Sequence, residues 1–154
     1  QPIELKLVWD LLGEVPEKEI MSLVSALIKE DPIEAIKVCR SLIDNGNEPI
    51  SIIEGLASML RDLIIKKSAP NEPNLCGIAP DLHSELQRIS LEVNSSKIID
   101  WQAYLKGTEN QLRQSYQPRL WIEVLLIGML SSQNSSIKQV KFKEGVTSTG
   151  NFSV

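Results

Sequence analysis

The chain has 154 residues, of which 42% are hydrophobic and 23% are charged, as expected for one globular domain with its own core. Its formal net charge is −4, and the acidic excess lies in residues 1–60, which hold eleven acidic and five basic side chains. Because affinity for nucleic acid comes largely from Lys and Arg, this balance argues against a domain that grips phosphate backbones by itself.

The first predicted elements are a short apolar segment and an amphipathic helix. The apolar segment spans residues 8–12 and is closed by Gly13. Pro16 stands at the position of a first helical residue, with Glu17 and Glu19 in the positive first turn. Apolar residues then recur at the i, i+3, i+4, i+7, i+8 spacing of one helix face: Ile20, Leu23, Val24, Leu27 and Ile28. Residues 1–4 show no basic region leading into an apolar one, so no signal peptide is predicted.

Two further helices have sharp local signals at their ends. Asp31 precedes Pro32, which favours a helix start, because a carboxylate can accept hydrogen bonds from the first turn and proline has no N–H to leave unpaired. Gly46 supplies the left-handed residue that ends this helix. The next helix begins at Pro49, carries a broad apolar stripe typical of a central helix, and ends near Lys66 and Lys67.

The sequence after residue 67 also predicts helices and loops. Residues 68–79 are rich in Pro, Asn and Gly and are predicted to form a loop. A helix follows from about Leu82, another is capped by Asn94, and the last begins at Pro118. We predict a compact bundle of about six or seven helices over residues 1–131. Residues 132–154 are polar and aperiodic and are expected to be a disordered, flexible tail or linker.

The helix from Pro118 is apolar on every side but carries Arg119 and Glu123, four residues apart. It is too short to span a bilayer, which takes about 20 apolar residues, so no membrane contact is predicted. A helix that is apolar all round is expected at the centre of a bundle, with every face covered. Buried charges need partners, so Glu123 is expected to pair with Arg119 or with Arg61 of a packed helix. The alternative is that one of these charges reaches a neighbouring subunit.

Large aromatic side chains are candidates for an interface, where they are enriched. Trp101 and Tyr104 share one helical face and have polar neighbours, so they are predicted to be exposed interface anchors. Trp121 is a further structural or interface candidate.

No motif for catalysis is present in the sequence. It contains no G-x-x-x-x-G-K, no G-x-S-x-G and no H-E-x-x-H. His83 is the sole histidine and is expected at the surface. Cys39 and Cys76 are expected to be reduced thiols, and with His83 they are too dispersed for a structural zinc site. We therefore predict no catalytic, cofactor-binding or metal-binding residue.

Three short motifs in this order carry a family resemblance: L-L-G at residues 11–13, L-R-D-L at residues 60–63 and P-R-L-x-x-E at residues 118–123. Their spacing resembles the third domain of the gamma/tau subunit of the bacterial DNA polymerase III clamp loader, over residues 8–131. The resemblance implies a helical oligomerisation collar that joins gamma/tau copies to the delta and delta-prime subunits. It also implies that Arg61, Arg119 and Glu123 organise the bundle.

The same resemblance implies a cytoplasmic protein of the nucleoid-associated replication machinery, with ATP and zinc bound only in domains N-terminal to this one. The collar supports ATP-driven loading of the sliding clamp and performs no catalysis itself. Two other classes remain open. One is a helical adaptor that binds a peptide in a groove and is unrelated to replication. The other is a helical enzyme or helix-turn-helix DNA binder, which the acidic balance disfavours.

Overall fold

The computed structural model describes residues 15–131, which form six α-helices, two short 3-10 turns and no strand. The predicted all-α bundle is therefore confirmed for this part of the chain. The apolar segment 8–12 and the predicted tail 132–154 lie outside the described residues. The helices are α1 (Glu17–Ile28), α2 (Pro32–Asp44), α3 (Pro49–Ser68), α4 (His83–Ser90), α5 (Ser95–Arg113) and α6 (residues 118–131), with 3-10 turns at Pro73–Leu75 and Pro80–Leu82.

The helix ends follow the local signals in the sequence. The Asp31 carboxylate accepts a hydrogen bond of 3.1 Å from the Glu34 amide and caps α2. Gly46, just after α2, has a φ of 100°, a conformation that glycine adopts without strain. Asn94 caps α5 by accepting a bond of 2.8 Å from the amide of Lys97. These three predicted boundaries are confirmed.

Helix α3 is the centre of the bundle. It packs against α1, α4 and α5 and more lightly against α2, while α1 and α2 also pack against each other. Burial of apolar side chains from these helices drives folding. The fully buried core includes Leu23, Leu27, Leu42, Ile53, Leu56, Leu60, Leu63, Leu86 and Ile98. Within the described residues, none of the helices is both long and apolar enough to cross a bilayer.

The loop after α3 is held against that helix by Asp62. The Asp62 carboxylate is buried and accepts a hydrogen bond of 3.2 Å from the Gly77 amide, and the Cys76 thiol donates to the Asp62 carbonyl at 3.6 Å. Ile78 is also buried. The loop is therefore anchored at residues 76–78 and closes one side of the core.

Both cysteines are free and buried, so we expect them to be unreactive in the folded chain. Burial, and secondarily the nearby Glu123 carboxylate, raises the pKa of the Cys39 thiol from 9.0 to about 12. Burial also raises the pKa of Cys76. Because the thiolate is the nucleophile, iodoacetamide should label neither residue at neutral pH until denaturant is added. Mass spectrometry checks this, and rapid labelling of the native chain would contradict it.

Candidate assembly interface

One side of α6 packs onto α5. The side chains of Ile122, Leu126 and Met129 are fully buried. The Trp101 indole of α5 donates a hydrogen bond of 3.3 Å to the Met129 carbonyl. The Tyr104 ring covers the helix at residue 128, where glycine leaves room for it.

The other side of α6 carries large apolar side chains that remain about half exposed among the described residues. Trp121 is 48% exposed, and three further positions have comparable exposure. Their spacing along the helix places them in one band, because residues three, four and seven apart share a helix face. Exposed apolar groups gathered in this way mark interaction sites more often than isolated ones do. We call this band the outer stripe, and it consists of Leu120, Trp121, Val124 and Ile127.

The exposure of the outer stripe shows that the predicted position of the helix from Pro118 is wrong. The helix from Pro118 was expected to be central and covered on every face, but α3 occupies the centre and α6 lies on the outside of the described bundle. Helix α6 is apolar on every side, but within residues 15–131 only one of its sides is buried.

Two ion pairs fasten α6 to α2. The Arg40 guanidinium binds Glu123 through two hydrogen bonds of 2.9 and 3.0 Å, and Arg119 reaches Asp44 at 3.3 Å. A bidentate pair fixes geometry as well as charge. The predicted pairing of Glu123 with Arg119 or Arg61 is therefore wrong. Arg61 instead contacts its neighbour Asp62 at 3.4 Å.

The Arg40 pair makes stability depend on pH. The hydrogen bonds from Arg40 hold the pKa of the Glu123 carboxyl below its ordinary value of 4.5. A carboxyl with a lowered folded pKa stabilises the fold above its unfolded pKa, and that contribution is lost as the pH falls through the folded value.

We therefore expect Glu123→Gln to lower the free energy of unfolding at neutral pH by about 1 kcal/mol or less, the range for partly exposed pairs. The deficit relative to the unmodified chain should shrink as the pH falls below 4.5. Urea unfolding across this range measures it. A deficit that is independent of pH would contradict the assignment.

The other predicted interface residues divide between core and surface. Trp101 is 1% exposed, so the prediction that it is an exposed anchor is wrong. Tyr104 is half-buried, and burial raises the pKa of its hydroxyl. Only Trp121 among the aromatic candidates lies in the outer stripe. The spacing of Trp101 from buried Ile98 and Leu105, three before and four after, was the available signal that it faces the core.

The described residues contain no group of three or more His, Cys, Asp or Glu side chains placed to hold a metal ion. His83 was expected at the surface and is half-buried, with no hydrogen-bond partner for its Nδ1 atom among the described residues.

The chain is similar in sequence to several known proteins. The tau subunit of DNA polymerase III from Bacillus subtilis (strain 168) is 20% identical over 128 residues, which is 82% of this chain and 22% of that protein. The Arabidopsis thaliana protein STICHEL-like 1 is 34% identical over 62 residues, or 40% of this chain and 6% of that protein. STICHEL-like 3 from the same plant is 23% identical over 137 residues, covering 87% of this chain and 12% of that protein.

The chain thus spans less than a quarter of the length of these relatives. Residues 3–143 match the family of domain III of the DNA polymerase III subunits gamma and tau. This match covers nearly all of the sequence, including every helix described above, and it agrees with the all-α fold. The chain belongs to the gamma and tau domain III family of DNA polymerase III.

Proposed function

We propose that this domain is an assembly module, and that the outer stripe of α6 is the surface through which it joins its partners. This proposal rests on the row of large apolar side chains that remain about half exposed on α6 within residues 15–131. The partners are other copies of gamma/tau together with the delta and delta-prime subunits. In this role the domain forms the collar of a clamp loader and performs no catalysis.

The chemistry of the stripe supports this proposal. Tryptophan is enriched among the residues that contribute most to binding, and Trp121 has neighbouring apolar side chains on both sides along the helix. The ion pairs of Arg40 with Glu123 and of Arg119 with Asp44 hold α6 in place. A surface that is already ordered loses less conformational entropy on binding.

Membership of the family and the similarity to the tau relative support a wider role for the domain. ATP and zinc would be bound by domains N-terminal to this one, and the collar would hold the subunits together during ATP-driven loading of the sliding clamp. A cytoplasmic location belongs to the same proposal.

The plant relatives favour a second candidate for the partner. Over 62 residues the chain is more similar to STICHEL-like 1, at 34% identity, than it is to bacterial tau over its longer match, at 20%. The domain would then assemble through the same stripe within a protein of the STICHEL type. Mixing the chain with delta and delta-prime separates the two candidates, since only a clamp-loader domain should bind them.

A charge placed in the stripe tests the surface directly. We expect Val124→Glu to weaken association with the partners at least tenfold, or by about 1.4 kcal/mol, because burial of an unpaired carboxylate in an apolar contact is costly. The matched control is Leu91→Glu, since Leu91 is 78% exposed after α4 and lies outside the stripe. Light scattering after size exclusion measures complex mass. Equal association of both variants and the unmodified chain would overturn the proposal.

A further inference from the structure

The start of α6 gathers exposed side chains of the types that contribute most to protein–protein binding. Tyr116, just before the helix, is fully exposed, and the side chain of Arg119 is 68% exposed. Leu120 and Trp121 of the outer stripe follow directly in the sequence. Tyrosine, arginine and tryptophan are the residue types enriched among binding hot spots. We therefore expect the strongest contacts of a partner at this end of the outer stripe.

The two ion pairs between α6 and α2 differ in how far they commit their arginines. Arg40 binds Glu123 through two hydrogen bonds, and the Glu123 side chain is only 20% exposed. Arg119 makes a single contact of 3.3 Å with Asp44, whose side chain is 71% exposed. Such exposed pairs contribute little to stability, and a guanidinium has five N–H donors. Arg119 therefore has donors left for a carboxylate of a partner.

A second copy of the chain offers exposed carboxylates that could meet Arg119. Outside α6, three exposed apolar residues within residues 15–131 are followed directly by an acidic one: Ile33 by Glu34, Leu91 by Glu92, and Ile99 by Asp100. The Glu92 carboxylate is bound by Arg88 at 2.9 Å, and Glu34 lines a cavity together with two lysines. The Asp100 carboxylate makes no hydrogen bond or ion pair with any residue of the described range. Asp100 is therefore the carboxylate among the three that is available to an arginine.

Ile99 and Asp100 lie on an exposed side of α5. Ala103 and Gly107 follow at helical spacing on the same side and are exposed as well. A Cβ atom added at Gly107 would meet no atom within 4 Å, so a large side chain can approach α5 here. We call these four residues the α5 face.

We propose that the start of α6 in one copy of the chain docks on the α5 face of the next copy. Arg119 binds the Asp100 carboxylate of that copy. Leu120 and Trp121 pack beside Arg119 against Ile99. The inference rests on the proposed assembly role and names a second copy as the partner at the outer stripe, because an arginine with spare donors and an unpaired carboxylate are complementary in charge. Since the two contacting surfaces differ, the contact is head-to-tail, and each copy keeps a surface for a further copy.

Reversing the two charges and mixing the variants tests this contact. We expect Arg119→Glu and Asp100→Arg each to weaken self-association about tenfold or more, because like charges then meet across the interface. An equimolar mixture of the two variants should regain the association of the unmodified chain, since every contact between unlike variants pairs opposite charges. Sedimentation equilibrium of the whole chain measures the mass in each case. Recovery on mixing cannot be due to a repaired folding defect, because each variant keeps its own substitution.

The matched control is Asp81→Arg, which reverses an exposed aspartate that belongs to neither surface and should leave self-association unchanged. The inference is overturned if the mixture associates as weakly as its components. It is also overturned if the unmodified chain binds the other proposed subunits but not itself, or if Val124→Glu weakens self-association and neither charge reversal does. Those last two results leave the proposed assembly role intact, so failure of the inference can be distinguished from failure of that role.

Discussion

Replacing Trp101 by alanine is expected to lower the free energy of unfolding by about 4 kcal/mol, within the range of about 3–5 kcal/mol for the loss of a buried aromatic side chain. The ring is 1% exposed, and its indole N–H donates to the Met129 carbonyl. The substitution removes both the apolar contacts between α5 and α6 and this hydrogen bond. Urea unfolding followed by circular dichroism measures the change.

Trp121→Ala is the matched control, because it removes the same side chain from a position that is 48% exposed. Its cost in the isolated chain should be below about 1 kcal/mol, as for surface substitutions. If Trp101→Ala leaves too little folded chain to measure, Trp101→Phe keeps the ring volume in part and should lie between the two. Equal costs for Trp101→Ala and Trp121→Ala would contradict the assignment of one residue to the core and the other to the surface.

Gly128→Ala is expected to lower the free energy of unfolding by about 1–2 kcal/mol, within the range of about 1–3 kcal/mol that is typical of overpacking. A Cβ atom at this position would lie 3.0 Å from Cζ of Tyr104, and the phenol oxygen is closer still. The Tyr104 ring is rigid and half-buried against α6, so it must shift. Thermal and urea unfolding would measure the loss.

The control is Gly107→Ala on α5, where an added Cβ meets no atom within 4 Å. There the higher helix propensity of alanine should stabilise the chain by up to about 1 kcal/mol. In a Tyr104→Ala background, Gly128→Ala should also become neutral or stabilising, since the obstructing ring is gone. A stabilising effect of Gly128→Ala with Tyr104 intact would mean that the ring does not cover residue 128.

The ends of the helices could be predicted from the sequence, because a capping residue or a glycine acts on the adjacent helical turn. Asp31 and Asn94 can each cap a helix only at its start, and Gly46 adopts the left-handed conformation that ends one. The broad apolar stripe of α3 likewise predicted a central helix, and α3 does contact α1, α2, α4 and α5.

The long-range contacts could not be predicted in this way. Glu123 pairs with Arg40, which is 83 residues away in sequence, and Arg119 pairs with Asp44, 75 residues away. Nothing in the i, i+4 spacing of Arg119 and Glu123 indicates that each instead faces a residue on α2.

The outer stripe is a second feature that could not be predicted from the sequence. An apolar pattern on every side of α6 predicts that all faces of the helix are covered. It does not show whether residues of the same chain or residues of another chain cover them. Trp121 could be named as a candidate, while Leu120, Val124 and Ile127 emerged only when the packing of α6 was known.

Sedimentation equilibrium of the unmodified chain, alone and then with delta and delta-prime from the same source, tests the central claim most directly. We predict a mass that rises with concentration or a mixed complex with these subunits, because the proposed assembly role has a partner cover the outer stripe. A chain that stays monomeric at every concentration and ignores both subunits would contradict the assembly role.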